Sequence, residues 1–299
     1  MQILNHGLGF SYSYWDLYAT RDQSDTQYSY ASSATAAGYT TLSHNRLGIA
    51  GFTLANPVRE VHNTVKLAIL TEITKLAKAG KIPGQQQPPS KMMHVGHSFG
   101  SILTKALVAA CSEFSDGIFL TGYSHLSNYE PLFSSNTNFL IANLADPQIF
   151  PSSQYPNAYF TWPKKEADQY NFPAYRFFES PVLDDAESTQ QPFALGELVS
   201  AFLLGGDLIA SGFTKPVWYV DGEQDSIICA GNCTGLIDED SPAFEALSNA
   251  DVESLIVPGS GHGLSLDADA KLYPPMHDWL NREGFQWLRT DLAASLFKI

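Results

Sequence analysis

KMMHVGHSFGSILTKALVAA, residues 91–110, is the stretch on which the reading of the fold turns. Its first five residues read as a short strand, and Ser101 to Ala110 places apolar residues at helical spacing. Between them stands Gly96-His97-Ser98-Phe99-Gly100, a G-x-S-x-G at a strand-to-helix turn. A turn this sharp holds its central serine in a strained backbone conformation and lifts the hydroxyl above the end of the sheet. The residues two before and two after it must be small, because strand and helix approach too closely there for side chains. Gly96 and Gly100 meet that demand, which makes Ser98 the candidate nucleophile.

A serine hydroxyl is a poor nucleophile at neutral pH and needs a base. Ser254-Leu255-Ile256-Val257 reads as a late strand, and Pro258-Gly259-Ser260-Gly261-His262-Gly263 follows it as a glycine-rich loop able to present an imidazole over the strand ends. His262 is therefore the candidate base. His94 and His97 lie too near the elbow to swing onto Ser98, and His277 falls within the final helical pattern; packing or solvent-facing roles fit them better. A third group should be a carboxylate past the preceding strand, where it fixes the imidazole tautomer. Lys215 to Asp225 (KPVWYVDGEQD) supplies it. Asp225, beyond a turn-forming glycine, is preferred over Asp221, which ends the strand, and Glu223, which is mid-turn. Two backbone N–H groups are expected to receive a developing oxyanion: Phe99, directly after the nucleophile, and Leu8 in the loop Asn5-His6-Gly7-Leu8-Gly9-Phe10 after the first strand.

Outward from these residues, strand-like runs at 2–5, 39–44, 92–95, 117–121, 217–220 and 254–257 alternate with helical patterns at 28–37, 59–78, 100–110 and 241–247, and a last helix is expected over 274–297. The order predicts a doubly wound, mostly parallel α/β sheet. From about 124 to 215 the alternation stops, leaving short helical pieces among Pro, Asn and Ser. This segment reads as an inserted, mainly helical cap, with a core formed by 1–123 and 216–299. Its aromatics (Tyr159, Phe160, Trp162, Tyr170, Phe172, Tyr175, Phe177, Phe178) either pack its own small core or line a pocket against the sheet.

Hydrophobic residues make up 44% and charged residues 16% of the 299, as in an ordinary globular enzyme. The 17 basic and 31 acidic residues leave a formal charge of −14, a field that repels phosphate backbones and argues against a nucleic-acid partner. No stretch reaches about 18 uninterrupted apolar residues, so no membrane span is expected. No signal-peptide pattern opens the sequence, which as written predicts a cytoplasmic protein, or a secreted one if residues are missing upstream. Cys111 reads as a buried helix residue. Cys229 and Cys233 are close enough to bridge; a bridge, with the sequon Asn232-Cys233-Thr234, points to export, and two reduced thiols point away from it. No His/Cys spacing suits a metal, and no cofactor is expected.

Taken together, NHGLGFSYSYWD, VGHSFGS, VDGEQD and GSGHG resemble the α/β-hydrolase superfamily across nearly the whole chain. HGLGF followed by SYWD, the Asn45-Arg46-Leu47-Gly48 turn and ICAGNC are similar to a group of fungal members. The resemblance implies a serine esterase or lactonase acting on a small molecule, here a bulky, apolar one given the aromatic insertion. Serine at the elbow argues against the haloalkane dehalogenase and epoxide hydrolase chemistries, which need a carboxylate nucleophile. The same triad would serve an acyltransferase or a lactone-forming cyclase, and the fold without turnover would serve a ligand-binding protein. The family usually carries a β-hairpin ahead of the first strand, whereas this sequence as written opens directly on the strand that leads into the Leu8 loop.

Overall fold

A computed structural model describes residues 1–17, 26–49, 55–126, 128–162, 165–172, 179–204, 208–267, 272–285 and 296–298. The alternation read from the sequence runs through β1 (Gln2–Asn5), α1 (Tyr30–Ala36), β2 (Thr41–Ser43), α2 (Asn63–Lys78), β3 (Met93–His97), α3 (Phe99–Ala110) and β4 (Ile118–Thr121). The segment before the next core strand holds α4 (Glu130–Thr137), β5 (Leu140–Ile141), α5 (Ala142–Ala145), β6 (Tyr159–Thr161), α6 (Lys165–Asn171), α7 (Ser180–Ser188), β7 (Phe193–Ala194) and α8 (Leu195–Leu204). The core resumes with β8 (Val217–Gly222), α9 (Pro242–Glu245), β9 (Val252–Val257), α10 (Tyr273–Arg282) and β10 (Leu296–Lys298).

Seven strands form one sheet in the order β10-β2-β1-β3-β4-β8-β9, and every neighbouring pair is parallel. The central strands β1, β3, β4 and β8 are buried along their whole length, because helices cover both faces of such a sheet. Alternation along the strands divides the core: Phe119, Trp218 and Val220 pack on one face, Ile118, Leu120, Val217 and Tyr219 on the other. Helix α1 starts where Ser29 Oγ accepts the Ser32 N–H at 2.9 Å. Helix α2 begins four residues later than its apolar pattern, since Asn56 Oδ1 draws the Val58 and Arg59 N–H groups into a turn.

Two expectations are corrected and one is extended. The final helix over 274–297 stops at Arg282; 286–295 lie outside the described residues, and Leu296–Lys298 is a strand paired with β2. The segment 124–215, expected to be mainly helical, holds besides its helices a separate antiparallel sheet of β5, β6 and β7 with β6 in the middle. Each of its strands is two or three residues long, too short to show a period of two. Cys111 is half-buried and extended, just past the end of α3.

Candidate active site

Ser98 sits between β3 and α3 with φ 54° and ψ −120°, a conformation that costs a non-glycine residue on the order of 1–3 kcal/mol. The neighbours hold it there. Its N–H donates to Thr121 O of β4 at 2.8 Å, and Ser101 Oγ donates to the same carbonyl at 2.9 Å. A Cβ on Gly96 would lie 2.5 Å from Ser101 Cα, and one on Gly100 would lie 2.0 Å from the Asn5 carbonyl oxygen. The requirement for small residues at these two positions is therefore met against backbone atoms, which cannot move aside.

His262 and Asp225 come from the loops after β9 and β8, and both are buried. His262 Nδ1 lies 2.6 Å from Asp225 Oδ2, while Asp225 Oδ1 accepts the Ile227 and Ile228 N–H groups at 2.7 and 3.0 Å. A carboxylate so surrounded by donors takes the Nδ1 proton as one more, which leaves Nε2 with the lone pair. That nitrogen is buried and makes no hydrogen bond, to Ser98 or any other group, among the described residues. Gly122 links the two halves of the site: it lines the same pocket as Ser98, and a Cβ on it would meet His262 Cε1 at 2.8 Å.

The acid and histidine loops are laced together. Gln224 N–H donates to Ser260 O at 2.8 Å, Glu223 Oε2 accepts the Gly259 N–H at 2.8 Å, and a Cβ on Gly222 would strike Gly261 O at 2.2 Å. Glu223, weighed in the sequence as an alternative acid, is thus a clip on the histidine loop. Asp221 accepts the Tyr123 N–H at 2.9 Å, and burial, then the Asp225 charge, pushes its carboxyl well above the usual range. Cys229 and Cys233 form a disulfide within the loop that follows Asp225; Cys229 Sγ lies 2.9 Å from the Asp225 carbonyl oxygen, and that oxygen accepts the Gly231 N–H at 2.8 Å.

The other histidines occupy packed positions. His94 is bonded to Thr74 Oγ1 and Ser115 Oγ, and His277 Nε2 to Ser33 Oγ. His97 stacks on Tyr14 at 4.3 Å between ring centroids, and burial holds its pKa well below the ordinary value, so it stays neutral beside His262. Leu8 and Phe99 both line the pocket with Ser98. The rest of its wall is mostly apolar: Ile102 of α3, Ile227 and Ile228 of the acid loop, and Phe133, Phe172 and Leu198 of the inserted segment. Of the aromatics named from the sequence, Phe172 reaches the pocket and Trp162 packs behind it at 5.3 Å, whereas Tyr159 lies in a separate cluster with Phe150 and Tyr155. Tyr175, Phe177 and Phe178 lie outside the described residues. No group of side chains suited to a metal ion occurs among the described residues.

Sequence reasoning missed a buried ion cluster behind the Leu8 loop. Arg46 and Lys66 both pair with Glu197, at 2.7 and 2.5 Å, and all three are buried. In the sequence Arg46 reads only as part of a turn, and no short-range spacing connects it with a glutamate 151 residues away.

The family model for the α/β hydrolase family matches residues 3–273. No curated protein matches the sequence. Among solved structures, the methylesterase MES16 from Arabidopsis superposes with a TM-score of 0.57 at 14% identity, over 94% of this chain and 98% of that one. A carboxylesterase of the thaumarchaeon Nitrososphaera gargenis gives 0.59 at 15% identity, over 96% and 91%. A thermophilic esterase from Thermogutta terrifontis gives 0.53 at 13% identity, over 94% and 89%. These likenesses are of fold, and with the matched model, the parallel sheet and the serine elbow they lead to one assignment: the chain belongs to the α/β hydrolase family.

Proposed function

We propose that the protein is a serine hydrolase that cleaves a carboxylic ester or lactone of a bulky, apolar small molecule through an acyl-enzyme at Ser98. The observation that carries this reading is the 2.6 Å contact between His262 Nδ1 and Asp225, which leaves Nε2 as a buried base on the same side of the sheet as the strained serine. In this reading Nε2 takes the Ser98 proton as Oγ attacks the acyl carbon, and later returns it to the leaving oxygen. Asp225 stabilises the imidazolium. The Leu8 and Phe99 N–H groups receive the oxyanion, and the segment 124–215 acts as the cap over the acyl group. Among the described residues the wall presents no charged side chain to a substrate, which favours an uncharged acyl chain or ring. The disulfide and the Asn232 sequon support maturation in an oxidising compartment. No helix among the described residues is long and apolar enough to cross a membrane.

The test is hydrolysis of p-nitrophenyl esters from acetate to dodecanoate by the wild type and Ser98→Ala side by side. Turnover by the wild type that disappears in the variant, with an optimum at medium or long chains, is the expected result. Equal turnover by both would overturn the mechanism. Ester formation with an added alcohol exceeding hydrolysis would replace it by acyl transfer.

A further inference from the structure

The ion cluster behind the Leu8 loop does more than pair charges. Arg46 Nη2 donates to Gly7 O at 3.1 Å, Nη1 donates to His6 O, and the Arg46 N–H donates to His6 Nε2 at 3.4 Å. The guanidinium thus grips two consecutive carbonyls of the loop from inside the protein. In a trans peptide the C=O of one residue and the N–H of the next point in opposite directions, and no cis bond occurs among the described residues. Drawing the Gly7 carbonyl inward therefore turns the Leu8 N–H outward, toward the pocket that Leu8 lines. The same guanidinium lies over the Phe99 ring, 4.7 Å from its centroid, so one side chain touches both the peptide that carries the Leu8 N–H and the residue that carries the other donor.

What holds Arg46 in this grip comes from the inserted segment. Glu197 is on α8, whose Leu198 and Ala201 line the pocket, and α8 is fastened to α2 through Asn63, which donates to Ser200 Oγ and O at 3.1 and 2.6 Å. Lys66 of α2 pairs with the same carboxylate and lies over the Phe99 ring at 5.3 Å, but among the described residues it donates no hydrogen bond to the carbonyls of His6 or Gly7. A buried ion cluster is weak evidence of added stability, because desolvation offsets the attraction, so its retention here calls for another reason. We infer that Arg46 is the positioning residue of the oxyanion site, setting the Leu8 N–H through the carbonyls of His6 and Gly7, and that Glu197 makes this setting depend on the inserted segment. The inference rests on the serine-hydrolase reading proposed above.

The experiment compares Arg46→Lys, Glu197→Gln and Lys66→Met with the wild type in kcat and KM, in melting temperature, and in affinity for a trifluoromethyl ketone, which adds to Ser98 and places an oxyanion where the substrate would. Arg46→Lys and Glu197→Gln are expected to lower kcat by about 100-fold, the cost of one misaimed oxyanion donor, with KM little changed and the ketone weakened in proportion to kcat/KM. Lys66→Met is expected to lower the melting temperature while keeping kcat. If Arg46→Lys does not fold, Glu197→Gln against Lys66→Met decides. Equal losses of kcat in those two, or a retained kcat in Glu197→Gln, would overturn the inference while leaving the parent reading intact. A wild type that neither hydrolyses an ester nor is labelled at Ser98 by a fluorophosphonate would overturn both.

Discussion

Asp221 and Asp225 leave the same strand four residues apart, both fully buried, and their surroundings divide the work between them. Asp225 receives two backbone N–H groups and lies 2.6 Å from the imidazole Nδ1. Asp221 accepts from the Gly122–Tyr123 turn beneath His262, and its carboxyl is pushed well above the usual range by burial and by the neighbouring carboxylate. An amide can imitate a neutral carboxyl but not an anion. Asp225→Asn is therefore expected to lower kcat by about 10⁴-fold, the penalty of the wrong imidazole tautomer, and Asp221→Asn to retain most of the turnover. Steady-state kinetics of the two variants checks this, and the opposite ranking would move the acid to Asp221. Distance along the chain from the end of the strand was enough to prefer Asp225. It could not show that the Asp221 carboxyl is shifted upward or that Glu223 clips the histidine loop, because both facts depend on which loop lies opposite.

At the scale of elements, the elbow requires α3 to start almost in contact with β1. The Asn5 carbonyl would lie 2.0 Å from a Cβ on Gly100, and a peptide oxygen fixed in a parallel sheet cannot give way as a side chain tip would. Gly100→Ala is expected to cost about 3 kcal/mol, the upper end for overpacking, and to lower the melting temperature by roughly 5–10 °C. Gly212→Ala, with nothing within 4 Å of the added methyl, is the matched control and should melt with the wild type. Coincident melts for the two variants would mean that the helix start slides to accommodate the methyl. The elements at this contact were legible in the sequence because glycine spacing, strand and helix patterns agree over twenty consecutive residues. The chain's last strand was not: three residues of β10 carry no periodicity of their own and follow a helical pattern, and their conformation is set by the free edge of β2.

Across the whole molecule, charge is distributed unevenly between surface and interior. The formal −14 counts groups inside the protein as well as at its surface: Asp168 is buried in the inserted segment with Oδ1 accepting the Trp162 indole N–H at 2.6 Å. Burial pushes its carboxyl up to about 7. The unfolded chain ionises this group near pH 4 and the folded one near 7, so between those values the unfolded state gains and stability falls as pH rises. Asp168→Asn keeps an acceptor for Trp162 and removes the titration. Its melting temperature is expected to fall less than that of the wild type from about pH 4 to 7, as scanning calorimetry across that range would show, with the remaining slope owed to groups such as Asp221. Parallel profiles would remove Asp168 as a source of the dependence. The doubly wound parallel sheet was legible in the sequence because strand and helix patterns alternate and the connection rules leave few alternatives. The arrangement of the inserted segment did not, since its short strands and the Glu197 contacts are settled only by what they pack against.

The Cys229–Cys233 bridge lies in the loop that presents Asp225. On the reading proposed above, the bridge pins the turn that follows the acid, so a chain made in a reducing host is expected to complete its sheet and its elbow yet leave that turn untied, with specific activity falling as free-thiol content rises.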